Sequence, residues 1–351
     1  EGIIIGRAIQ GAGAIAAALM ALAADLSREE HRMKMMALIG VSIGISFSLS
    51  MVLGPVVNDL IGISGIFFST AVLALVGIAI LYIFVPDPVH SHFHRDAEVE
   101  PQSLLSVLKN DELLRLDIGI FTLHFILMCV FLVMPLILQN EFAVAANEHW
   151  HIYLPVFAVS LLIMVPFIII AERKQAMKPV FNGAIFSLIA ATLVFLNVQS
   201  FWLLVFGLVI FFAGFNLLEA SLPSLITKTA AATQKGTAMG VYSSSQFLGA
   251  FAGGSAGGFA HQLWGIDGVF FTVLIVLCLW SLLAFTMKKP GYLSTYLLKV
   301  KEVTVEQLLA VEGVVEAALI DEDGEDASVA YLKVKKHILD EEKLLSLAAS
   351  D

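Results

Sequence analysis

Few ionisable side chains stand inside the long apolar runs of this chain, and those few could move a proton or hold a polar solute. Glu219 lies in one such run, with Asn216 three residues before it and Pro223 four after. His124 lies midway through another, two turns beyond Asp117. A carboxyl or imidazole withdrawn from water can exchange protons near neutral pH, because its surroundings then set its charge. An ionisable group at the centre of a bilayer costs about 2.5–3.5 kcal/mol on insertion scales, so it usually faces a bundle interior. Two readings stand for Glu219: proton exchange, or a structural pair with a polar residue of a neighbouring helix. For His124 the alternative is a satisfied core histidine. Gln246, preceded by Ser243, Ser244 and Ser245, gives a third run a polar patch that either meets a solute or ties two helices together. Arg7 and Gln10, three residues apart, share one helix face. Asp25 and Asp59 fall at the ends of runs and suit solvated or capping roles. Phe121, Phe125 and Phe131 suit packing or lipid contact better than a cavity wall, since the chain has 25 phenylalanines to distribute.

The elements that carry these groups follow from composition. The 351 residues are 58% hydrophobic and only 14% charged, with a mean hydropathy of +0.88. A soluble domain carries about 25% charged residues. One buried core cannot hide this much apolar surface, so lipid is the main solvent, and soluble enzymes, disulfide scaffolds and disordered chains are set aside. The net charge of −10 argues against nucleic acid as a partner. Cys129 and Cys278 both lie in apolar runs and form no metal or redox spacing. No Gly-x4-Gly-Lys-Ser/Thr loop is present, which argues against an ATP-driven pump. No nucleophile–base or metal constellation points to an enzyme. His90, His92 and His94 alternate, and three imidazoles can hold a transition metal. Their surroundings read as a solvated linker, so no metal or other cofactor is assigned.

A spanning helix needs about 20 mostly apolar residues. Nine runs qualify, at about 3–24, 36–57, 65–85, 113–138, 152–171, 180–198, 201–226, 237–260 and 269–287, separated by polar or Pro/Gly-rich breaks such as Asn58–Ser64 and His261–Gly268. The first run has no basic leader and carries Arg7 and Gln10, so it is no signal peptide. Lysine and arginine fall in the first, third, fifth and seventh breaks and after the last run, and in none of the even breaks. The positive-inside rule then places the odd loops and the C-terminus in the cytoplasm, and residue 1 outside, which suggests missing upstream helices.

The chain also repeats itself. Gly65-Ile-Phe-Phe-Ser resembles Gly268-Val-Phe-Phe-Thr, 203 residues later. Ser42, Ser46, Ser50 and Gly54 recur at the same offset as Ser245, Gly249, Gly253 and Gly257. Small residues at every fourth position let another helix backbone approach closely. They serve plain packing, a sliding interface between bundles, or both. Runs 1–3 match runs 7–9, so a unit of about 200 residues holds six spans, and the chain begins at the fourth of twelve. A parallel six-plus-six duplication is the architecture of the major facilitator superfamily.

The residues resemble that family in detail. Arg7-Ala-Ile-Gln10-Gly11-Ala-Gly13 looks like its fourth-helix motif, and Gly54-Pro55 like its fifth-helix antiporter motif, although Asn58-Asp59 stands where a Gly-Gly pair is usual. Glu172-Arg173-Lys174 resembles the second copy of the acidic–basic loop motif. Gly214–Pro223 and Lys235–Gly249 resemble the YajR-like subgroup. The resemblance implies a secondary transporter and implies that Arg7 helps couple proton and solute movement. The proton-coupling candidates are Arg7, Glu219, His124 and Asp117, and the cavity candidates are Gln10, Asn216, Gln246 and Ser243. Gly11, Gly13, Gly54, Pro55, Gly249, Gly253, Gly257, Glu172, Arg173 and Lys174 are the candidates for conformational roles.

Residues 290–351 differ in kind, with 13 acidic and six basic residues, −7 of the total −10. They read as β(296–300), α(305–311), β(315–320), β(328–334) and α(340–349), a ferredoxin-like order lacking its last strand. The expected organisation is therefore a half bundle over 1–85, a linker over 86–112, a full bundle over 113–289 and an α+β cytosolic domain over 290–351. The expected protein is an all-α transporter of the bacterial inner membrane, monomeric, driven by the proton gradient and exporting small, hydrophobic or drug-like solutes. The alternative is a membrane sensor whose C-terminal domain binds a ligand or partner.

Overall fold

The computed structural model describes residues 29–86, 104–231, 234–288, 294–300, 303–321, 328–335 and 338–349, with isolated residues before 29. The helices are α1 (Glu29–Phe84), α2 (Leu104–Leu108), α3 (Asp111–Asn140), α4 (Trp150–Arg173), α5 (Met177–Leu196), α6 (Phe201–Thr229) and α7 (Lys235–Phe285). Among the described residues, six helices are long and apolar enough to cross a membrane. Nine separate runs were expected. The run over 3–24 lies largely outside the described residues, and two pairs of the others are joined. Runs 36–57 and 65–85 share α1, and runs 237–260 and 269–287 share α7.

The joins correct the expected polar breaks. Within Asn58–Ser64 and His261–Gly268 the helical path is interrupted at one residue each, Gly62 (φ 70°, ψ 179°) and Gly265 (φ 68°, ψ −160°). An uninterrupted helix of 51 residues would be about 77 Å long, more than twice the hydrocarbon core, so a membrane requires the break. This corner of backbone space is open essentially to glycine alone. Gly62 and Gly265 are 203 residues apart, the offset of the sequence repeat.

Helix starts are set locally. Asn110 Oδ1 accepts from the Glu112 and Leu113 amides at 3.0 and 3.3 Å and caps α3. Ser200 Oγ accepts from the Leu203 amide at 3.3 Å and caps α6. The core of the bundle lies where α3, α5, α6 and α7 meet, around Leu123, Ile126, Leu188, Phe211, Leu218 and Phe270, all fully buried.

The glycine stripe of α7 brings α3 unusually close. A Cβ at Gly249 would fall on the carbonyl oxygen of Phe121, and one at Gly253 on that of Phe125. A Cβ at Gly257 would lie 3.2 Å from Cys129 Sγ, and that thiol donates to the Gly253 carbonyl at 3.2 Å. Both partners advance four residues at a time, so the two helices run parallel along this seam. Phe121 and Phe125 are therefore packing residues. In α1 the matching Gly54 faces open space.

At the end where α3 begins, side chains tie the bundle to its last turn. Lys178 Nζ donates to the carbonyls of Phe285 and Met287 at 2.8 and 2.6 Å, satisfying acceptors at the end of α7. Glu112 pairs with Arg115 and accepts from the Lys288 amide at 3.2 Å. In α2, Val107 is buried, and Gln234 donates to Ser106 Oγ at 2.9 Å.

The C-terminal region has its own core. Strands β1 (Ser294–Val300), β2 (Val314–Asp321) and β3 (Ser328–Val334) form an antiparallel sheet in the order β1–β3–β2. Two helices, α8 (Val305–Leu309) and α9 (Glu341–Ala349), accompany it. Val300, Leu308, Ala330, Leu332, Val334 and Leu344 are buried together. Thr304 and Gln307 form a capping box on α8.

Candidate functional site

Three helices bring the sequence-predicted polar residues together. Gln246 on α7 donates from Nε2 to His124 Nε2 on α3 at 2.9 Å and to Glu219 Oε1 on α6 at 3.3 Å. With Nε2 of His124 accepting, the ring proton sits on Nδ1, which lies 3.9 Å from Glu219 Oε2. One amide thus bridges an imidazole and a carboxylate inside the membrane-spanning bundle. Aromatic rings wall the cluster: Phe215 meets the His124 ring edge-on at 5.9 Å. The close α3–α7 seam fixes the register, because Gln246 lies one turn before Gly249 and His124 lies between Phe121 and Phe125, whose backbone meets Gly249 and Gly253. Chemically, the arrangement can pass a proton between His124 and Glu219 or release Glu219 to a solute.

Asp117 lies two turns below His124 on the same face of α3. It is 3% exposed, and neither carboxyl oxygen has a hydrogen-bond partner. Tyr242, one turn before Gln246, is buried on α7.

The other candidates divide. Asn216 donates from Nδ2 to Ser160 Oγ at 2.9 Å, and Ser160 donates to the Phe157 carbonyl at 2.7 Å. The amide of Asn216 is therefore engaged between α6 and α4. Ser243 is half-buried on α7. Glu172 and Arg173 end α4, and Lys174 follows at its close, with Gln175 beside it at φ 52°. Pro55 lies inside α1. Arg7, Gln10, Gly11, Gly13, Asp25 and the histidines at 90, 92 and 94 lie outside the described residues. Among the described residues no group of three His, Cys, Asp or Glu side chains is placed to hold a metal.

Sequence reasoning passed over Tyr242 and Ser160. Tyr242 carried a signal, since it sits four residues before Gln246 on the same helix face. Ser160 carried none, a lone hydroxyl in an apolar run whose partner is 56 residues away.

A bundle of kinked, membrane-length apolar helices with a polar cluster at the meeting of three of them defines a multi-pass helical membrane protein. The chain belongs to the major facilitator superfamily, whose model matches residues 2–254 and 118–303. It is 42% identical over 344 residues to the inner membrane transport protein YajR of Escherichia coli strain K12, covering 96% of this chain and 75% of that protein. It is also 35% identical over 257 residues to the uncharacterized transporter BU466 of Buchnera aphidicola, covering 72% of this chain and 65% of that protein. The crystal structure of the human organic anion transporter MFSD10 shares the fold, with a TM-score of 0.55 at 21% identity over 76% of this chain and 66% of that one. These relatives are transporters and not enzymes.

Proposed function

We propose that this protein is a proton-coupled exporter of small amphipathic solutes, working by alternating access. The observation that carries the reading is the Gln246–Glu219–His124 bridge. A carboxylate held this way exchanges its partner when the helices shift, so protonation and conformation bias one another. Arg7 is proposed to assist from the N-terminal half, and Asp117 to serve as a further protonatable group. The Lys/Arg asymmetry supports a cytoplasmic C-terminus, and the relative's printed name supports the bacterial inner membrane. We read residues 290–351 as an accessory ferredoxin-like domain, supported by the βαββα order and the strand order β1–β3–β2.

The test uses the full-length protein in proteoliposomes. Solute uptake should follow an imposed pH gradient and collapse with an uncoupler. Glu219→Gln should abolish the response to the gradient. Flux indifferent to the gradient in the unmodified protein would sink the proposal.

A further inference from the structure

At the end of the bundle where α3 and α5 finish, a cavity of about 480 Å³ opens beside the break in α7. Its floor is apolar, with Ile137 near the end of α3 and Phe195 near the end of α5 both buried. Its rim is polar: Glu141 just after α3, and His261, Trp264 and Asp267 around Gly265. A Cβ at Gly265 would meet nothing within 4 Å, so the kinked backbone itself borders open space. Among the described residues no hydrogen bond or ion pair engages the side chains of Glu141, His261 or Asp267.

The sequence repeat separates what the kink needs from what the cavity carries. Residues 58–64 and 261–267 correspond at the 203-residue offset, and each segment holds a glycine break. Leu60, Gly62 and Ile63 recur as Leu263, Gly265 and Ile266. Of the positions that differ, three line the cavity: His261 stands where the first copy has Asn58, Trp264 where it has Ile61, and Asp267 where it has Ser64. The first copy makes the same break with an amide, an alkyl group and a hydroxyl. The imidazole, indole and carboxylate of the second copy therefore serve something other than the backbone turn.

Charge and shape narrow the ligand. This end carries Asp59, Glu141, Glu148 and Asp267, and no Lys or Arg lies within 58–64, 141–149, 197–200 or 261–268. An anion would meet carboxylates with no cation to offset them. A metal ion is poorly served, since among the described residues no three His, Cys, Asp or Glu side chains are placed to share one. An organic cation fits: carboxylates for its N–H groups, the indole face for its charge, and Ile137 and Phe195 for its apolar body. Trp264 is 66% exposed and stands at the end of a span, where an indole suits the boundary between lipid and water.

We propose that this cavity binds the ammonium group of an amphiphilic primary amine, supplied by an aminophospholipid headgroup or by a free amine. The site is separate from the polar cluster, because Gln246 and His261 are 15 residues apart on α7, about 22 Å along a helix. It goes beyond the transport reading and does not depend on proton coupling.

The experiment labels the site in the purified full-length protein. A diazirine-bearing alkylammonium is photolysed with the protein, beside the alcohol and the carboxylate of the same skeleton, and labelled peptides are mapped by mass spectrometry. The ammonium should label 137–141 and 261–267 about tenfold more than either control. Installing the first copy's residues together, His261→Asn, Trp264→Ile and Asp267→Ser, should cut that labelling about tenfold and leave the melting temperature within a few degrees. The comparison of the three compounds on the unmodified protein stands independently of that variant's folding. Nanodiscs of phosphatidylglycerol with and without phosphatidylethanolamine distinguish the sources: labelling reduced by the ethanolamine lipid assigns the headgroup, and equal labelling assigns a free amine. Equal labelling by all three compounds, label confined to other segments, or labelling unchanged in a folded triple variant would overturn the proposal. Failure of gradient-driven uptake would leave this site standing, and failure of this labelling would leave the coupling reading standing.

Discussion

The amide of Gln246 has a partner for each of its two hydrogens, His124 on α3 and Glu219 on α6. Gln246→Leu leaves Glu219 Oε1 and His124 Nε2 unpaired, which should cost about 1–3 kcal/mol. The melting temperature in detergent should fall, and gradient-driven uptake should drop more than protein stability explains. Asn216 tests the opposite case. Its amide ties α6 to Ser160 on α4, so Asn216→Ala should cost about 1–2 kcal/mol of stability while gradient-driven uptake per folded protein stays unchanged. A large loss of uptake per folded protein in Asn216→Ala would return this residue to the solute-binding wall.

Helix geometry turns on glycines in two different ways. At Gly253 the issue is space, since a Cβ would strike the Phe125 carbonyl of α3. Gly253→Ala should force the seam apart and destabilise by about 1–3 kcal/mol. Its neighbour Gly254 has nothing within 4 Å of the corresponding point. Gly254→Ala should be neutral or stabilising by up to about 1 kcal/mol through helix propensity. At Gly265 the issue is backbone angle, not space. Gly265→Ala should cost about 1–3 kcal/mol through strain, and Gly62→Ala similarly. Thermal unfolding of the four variants side by side checks the contrast; equal melting temperatures for Gly253→Ala and Gly254→Ala would contradict the close seam.

On the scale of the molecule, two cores are distinct: the bundle core around α3, α5, α6 and α7, and the small core of the C-terminal sheet. A region with its own core can be removed without opening the other. Deleting residues 290–351 should leave gradient-driven uptake within about a factor of two, because Lys178 and Glu112 secure the end of α7 before the sheet begins. Flux abolished by this deletion, with the bundle still folded, would make the domain part of the transport cycle.

The sequence by itself determined the class of environment, the apolar runs and the repeat. Each follows from a local property: hydropathy over a bilayer's thickness, and identity at a fixed offset. The strands of the C-terminal region were legible for the same reason, with bounds shifted by a residue or two. The small-residue stripe of α7 was legible as a packing face, but its partner was not, because nothing in Gly249 or Gly253 names Phe121 or Phe125. Only the tertiary structure decided that Gln246 joins His124 and Glu219, that Asn216 faces Ser160, and that Asp117 has no partner. The contacts among these join residues 27 to 122 positions apart along the chain. They depend on how helices rotate and slide against one another, which composition and period constrain only to a face. The glycine kinks show the boundary between the two kinds of knowledge. The polar stretches signalled a break, but only backbone angles located it at Gly62 and Gly265.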